Sequence, residues 1–147
     1  MKNNKLIKTI KPSQLINIIW FILMFVSILI YPPLGILSFL YTWYKCYDVD
    51  TWTYNLYERT IEERRGVFDV AQEEVQYFRI KSIKVEEPFW MRFFGLCVIH
   101  IITSEQFKPR MTIYAVYDGA ELKDLISNLT YQWRLKMNIR DHDIYNV

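Results

Sequence analysis

Apolar positions fall into two regimes along this chain. From position 15 to 44 they run almost unbroken, and beyond position 50 they break into short alternating sets. The run reads QLINIIWFILMFVSILI, then YPPLG, then ILSFLYTWYKCY, and its thirty residues 15–44 include no Asp, Glu, Lys, Arg or His. A bilayer core of about 30 Å takes roughly 20 apolar helical residues. Thirty is too many for one simple span, and Pro32 and Pro33 cut the run in two. Proline breaks the preceding helical hydrogen bonds, and the residue before a proline resists the α conformation. With Gly35 two positions on, the pattern predicts a transmembrane helical hairpin over 14–47. One arm covers 13–31, the other 34–47, and the turn lies at 31–35. A cleavable signal peptide is set aside, because the run is too long and lacks a small-residue cleavage site. One kinked helix would instead put the termini on opposite sides.

Past Asp50 the period changes to two. WTYNLY (52–57), GVFDV (66–70), FRIKSIKVEE (78–87), LCVIHIITS (96–104) and RMTIYAVY (110–117) read as strands. A one-residue slip at Lys81-Ser82 predicts a bulge. PFWMRFFG (88–95) reads as a short helix opened by proline and closed by glycine. In 118–137, Leu122, Leu125, Ile126, Leu129 and Trp133 recur at three- and four-residue steps, the mark of an amphipathic helix. Asp118 with Glu121 three residues on predicts a capping box at its start.

Charge sharpens this division. All sixteen acids lie at or beyond Asp48, whereas Lys2, Lys5, Lys8 and Lys11 precede the apolar run unaccompanied. Residues 48–147 carry 13 basic against 16 acidic side chains, a balance of −3. By the positive-inside rule both termini are expected in the cytoplasm, with the protein in a bacterial inner membrane. Trp43, Tyr44, Tyr47 and Trp52 fit an interfacial belt. The expected partition is a basic cytoplasmic tail (1–13), the hairpin (14–47), a domain (48–135) and a C-terminal tail (136–147). Cys46 and Cys97 read as free structural thiols.

The ordered set of Trp52-Tyr54-Leu56, RRGVF (64–68), YFRIKSIKV (77–85), RFFGL (92–96), VIHIIT (98–103) and AELKDLI (120–126) resembles bacterial pleckstrin-homology-like proteins that carry an N-terminal membrane hairpin. The resemblance covers roughly residues 52–129. It implies an α+β fold in which the hairpin precedes a PH-like, partly open antiparallel β-barrel capped by a C-terminal amphipathic helix. It also implies binding or scaffolding in place of catalysis.

The residues offer no constellation for chemistry. His100 alternates with isoleucines inside a strand, and His142 sits in the tail triplet DHD (141–143) with no second cluster to complete a metal site. The serines lack a glycine elbow, and four glycines build no phosphate loop. Glu62-Glu63, Glu73-Glu74 and Glu86-Glu87 read as solvated loop charge. No cofactor and no metal is expected, and the acidic balance argues against nucleic acid. Two candidate binding sets remain. Arg59, Arg64 and Arg65 are the best basic cluster for an anionic headgroup, although Glu58, Glu62 and Glu63 cancel them locally. Phe89, Trp90 and Met91 are candidates for a protein contact, since a short helix packs only some of them inward, and an open sheet edge could accept a partner strand. The expected function is a membrane-tethered module docking a protein, another membrane protein among the options, with the lipid bilayer as its other partner. Recognition of anionic headgroups and a phage- or plasmid-type modulator of a host complex are the alternatives; homo-oligomers are compatible with all three.

Overall fold

In the computed structural model residues 5–106 and 109–138 are described. Among the described residues seven strands form two antiparallel sheets. The first is ordered β1 (Leu6–Ile10), β2 (Thr53–Tyr57), β3 (Thr60–Arg65), β4 (Ala71–Gln76); the second is β5 (Ile80–Glu86), β6 (Leu96–Thr103), β7 (Arg110–Tyr117). The helical hairpin, α1 (Ile18–Ile30) and α2 (Pro32–Thr51), leaves the sheet between β1 and β2, two strands that pair with each other. A short α3 (Phe89–Arg92) joins β5 to β6, and α4 (Gly119–Lys136) follows β7.

The core follows from alternation. Tyr54 and Leu56 of β2, Ile61 of β3, Val75 of β4, Ile99 and Ile101 of β6, and Met111 and Ile113 of β7 point between the sheets and are buried. Tyr54 crosses the gap, its hydroxyl donating to the Thr112 carbonyl at 2.8 Å. Burial, then the neighbouring Glu63, pushes its phenol far above the ordinary tyrosine range. At one corner the Ser13 amide donates to the Ala115 carbonyl; at the other a 3-10 turn (Tyr77–Arg79) carries β4 into β5. Leu122 and Ile126 press α4 onto this core, while the Trp133 indole donates to the Glu58 carbonyl. Strand β6 reads as continuously apolar at its start because both of its faces are covered there, whereas His100 and Ile102 further on are more open. Ile99 and Ile101 face the main core, and Leu96 and Val98 join Met91, Ala115, Leu15 and Ile16 in a second cluster.

Several expectations are corrected. No helix among the described residues is long and apolar enough to cross a membrane. Helix α1 has 13 residues, about 20 Å at 1.5 Å each, against a bilayer core of about 30 Å. Helix α2 is longer, but its last turns carry Lys45, Asp48 and Asp50. The transmembrane hairpin therefore falls. With it fall the designation as a membrane protein, the bacterial inner-membrane location and the cytoplasmic placement of both termini, which rested on a span. The arms do form an antiparallel pair: Tyr31 alone, extended at φ −150°, makes the reversal, and Pro32 opens α2 directly.

Leu6–Ile10, expected within the basic tail, is a strand. Residues 66–70, expected as a strand, form a turn in which Gly66 takes φ 125° and Phe68 stands 90% exposed. The charged stretches on either side of it are β3 and β4 instead. Asp118 precedes α4 but takes φ 53° and makes no side-chain cap, so the capping box is absent. The bulge appears as expected, with the β5–β6 register shifting between Ile80 and Ser82. Lys2 and the triplet Asp141, His142, Asp143 lie outside the described residues.

Candidate functional site

The three arginines do not converge. Arg59 sits at the β2–β3 turn, its guanidinium 5.1 Å from the Trp133 ring centroid. Arg64 and Arg65 end β3 five and six residues later, about 15–20 Å away at 3.3 Å per strand residue. Alternation sends them to opposite faces. Arg64 is exposed, opposite Thr53 and Gln72. Arg65 lies 4.1 Å over the Trp52 ring and 3.5 Å from the Asp48 carboxylate. The Trp52 indole in turn donates to Glu63 at 3.1 Å. Arg65 is thus a clamp between the foot of α2 and the first sheet.

His100 is likewise engaged. Its Nδ1 lies 3.2 Å from the Thr112 hydroxyl, and its Nε2 lies 3.4 Å from Glu86.

What the molecule displays is the hairpin. A helix that is apolar all round needs an apolar environment on every side, and α1 exposes Ile19, Ile22, Phe25, Leu29 and Ile30 around its circumference. Its polar groups are spent in the seam between the arms. Ser27 and Ser38 hydroxyls meet at 2.6 Å, and Thr42 donates to the Ser38 carbonyl at 2.8 Å. At the base, Asn17 donates to the Lys45 carbonyl and Gln14 to the Cys46 carbonyl. Gly35 lets the arms close, since a Cβ there would come within 2.6 Å of an Ile28 side-chain carbon. The outward surface is therefore largely aliphatic and aromatic, with the hydroxyls of Tyr41, Tyr44 and Tyr47 and the Trp43 indole among its polar groups.

Across the lower half of the hairpin runs a groove of about 320 Å³. Phe21 and Met24 line it from α1, and Phe39, Trp43 and Tyr47 from α2. Thr42, Cys46 and Asp50 complete the lining, and most of its walls are apolar, the composition of a pocket that takes a large hydrophobic anchor. Two further aromatic sets are exposed on the domain. Phe68, on the β3–β4 turn, stacks with Tyr44 of α2 at 6.4 Å. Phe89 and Phe93 meet edge to face at 5.1 Å beside the half-exposed Trp90. Their neighbour Met91 packs in the cluster that also receives Leu15 and Ile16 from the start of the hairpin. Of the candidates read from the sequence, Phe89 and Trp90 stand exposed near this base, whereas the arginines are dispersed. The groove residues hid inside the apolar run, where nothing distinguishes a lining side chain from any other.

The family described as Bacterial PH domain matches residues 7–130, a stretch that takes in β1, the hairpin and both sheets. Among solved structures, a crystal structure of a protein with a pleckstrin-homology domain from Shewanella loihica aligns at 18% identity and a TM-score of 0.46, over 56% of this chain and 73% of that one. No curated protein matches.

Proposed function

Since the chain belongs to the bacterial PH domain family, we propose that it works by binding and not by catalysis, as a module that docks a protein partner through its hairpin. The observation that carries this reading is the largely apolar groove on a pair of arms that hold no charged side chain between residues 15 and 44. The occupant it fits is an apolar helical surface of another protein, with one large side chain seated among Phe21, Met24, Phe39 and Trp43. Helices pack ridge into groove without needing hydrogen bonds from the partner, and the hairpin's Ser27, Ser38 and Thr42 already bond within the seam. Phe68, Phe89 and Trp90 would extend the contact at the base. Headgroup recognition is disfavoured, because a phosphate wants cations converging on one pocket. Arg65 is paired with Asp48, and Arg59 stands at the other end of the strand.

The test is photo-crosslinking from a reactive side chain placed at Leu29 or at Trp43 in the full chain. One discrete protein adduct, the same from both positions and lost when Met24→Glu fills the groove with charge, would support the docking. Adducts of lipid only, or protein adducts indifferent to Met24→Glu, would contradict it.

A further inference from the structure

Strand β5 ends its sheet, and among the described residues no strand lies on its outer side. Helix α4 runs nearby and leaves a groove of about 220 Å³ between them. Lys81 and Ser82 line it from β5; Lys123, Ser127, Thr130 and Arg134 line it from α4. The four helical positions recur at steps of four, three and four, which puts them in one stripe beside the apolar face that covers the core. The bulge between Ile80 and Ser82 interrupts the regular alternation where Lys81 enters the groove, a place where bulges re-aim side chains.

Three cations line this groove and no carboxylate does. Thr130 is only 7% exposed, and its hydroxyl has no hydrogen-bond partner. A buried hydroxyl left unpaired is costly, so it marks a place where a ligand atom would be welcome. Arg134 closes one end by donating to the Ile80 carbonyl.

We infer that this groove is a second binding site, for an extended acidic segment of a partner protein that adds to β5 as a strand. The spacing of the cations selects this ligand over a phosphate. Lys123 and Arg134 are eleven helical residues apart, about 16 Å, too far to close on one phosphate. An extended peptide of about five residues covers the same length. Alternate side chains of an added strand face one side, so acidic residues at every second position would meet the lysines while the backbone pairs with β5. The site extends the protein-docking reading to another surface, but the hairpin takes no part in it.

The experiment uses the full chain and a fluorescent peptide of about seven residues alternating Glu with Val, its Gln counterpart, inorganic phosphate and anionic vesicles. The Glu peptide should bind, and the Gln peptide about tenfold or more weakly. Lys81→Glu with Lys123→Glu should cost about tenfold or more, and Thr130→Val about threefold. Hydrogen exchange should show β5 amides newly protected by the peptide, with β6 protection unchanged in every variant as the check on folding. Met24→Glu in the hairpin should leave peptide binding as it was, which separates this site from the first. No binding of the Glu peptide, or binding without β5 protection, would overturn the site. So would indifference to the lysine reversals, or vesicle binding in place of peptide binding.

Discussion

Gly119 opens α4 against Cys97, whose thiol donates to the Val116 carbonyl at 3.3 Å. A Cβ at 119 would lie 2.1 Å from the Cys97 sulfur and 3.3 Å from a Val85 methyl. Overpacking of this kind costs about 2 kcal/mol, so Gly119→Ala should lower the midpoint of urea unfolding, and adding Cys97→Ala should restore most of the loss. Had the contact been loose, the double variant would be no better than the single one. A second residue responds to pH. The Lys84 ammonium, 2.7 Å away, holds the Glu86 carboxyl below the usual glutamate range, with His100 adding to the effect. Its folded value is depressed, so its contribution is present above the unfolded value and fades as pH falls through the folded one. An NMR titration should place the Glu86 midpoint below that of free glutamate, and Lys84→Met should raise it.

At the scale of elements, the least visible strand in the sequence is β1. It pairs with β2 through Leu6↔Tyr57 and Lys8↔Leu56, and Ile10 packs on the core. Removing residues 1–10 should therefore strip one edge of β2 of its partner and destabilise the whole domain by about 2–4 kcal/mol, measured by chemical unfolding, whereas a mere tail could be cut without effect. The same reasoning explains what was legible beforehand. Strands β5, β6 and β7 and helix α4 announce themselves because many of their inward positions are apolar and regularly spaced. Strands β3 and β4 do not: each has one buried aliphatic side chain, Ile61 or Val75. The rest of TIEERR and AQEEVQ is polar, and the register even sets Glu62 opposite Glu74 and Glu63 opposite Glu73. Like charges opposite one another disfavour pairing, so nothing local suggested strands there. GVFDV has strand-like side chains, yet the backbone of Gly66 turns it away. The arginines show the matching failure at the site. Proximity in sequence suggested a cluster, and an extended strand pulled Arg59 away from Arg65.

At the scale of the whole molecule, the hairpin is an insertion within a sheet and not an appendage before a domain. Its two feet are β1 and β2, and Arg65, Asp48 and Trp52 brace the second foot. The arms are consequently held at a fixed place on the sheets, which the proposed docking through a rigid surface requires. Two surfaces of opposite character result: an apolar groove on the arms and a cationic groove between β5 and α4. The basic residues first singled out belong to neither. The most direct test compares two sets of substitutions for their effect on the crosslinked protein adduct formed from Leu29. Docking through the hairpin predicts that Met24→Glu with Phe39→Glu abolishes the adduct, while Arg59→Gln with Arg64→Gln, which spares the Arg65 brace, leaves it near its original yield. Loss of the adduct in the arginine variant, with the hairpin variant unaffected, would contradict the account.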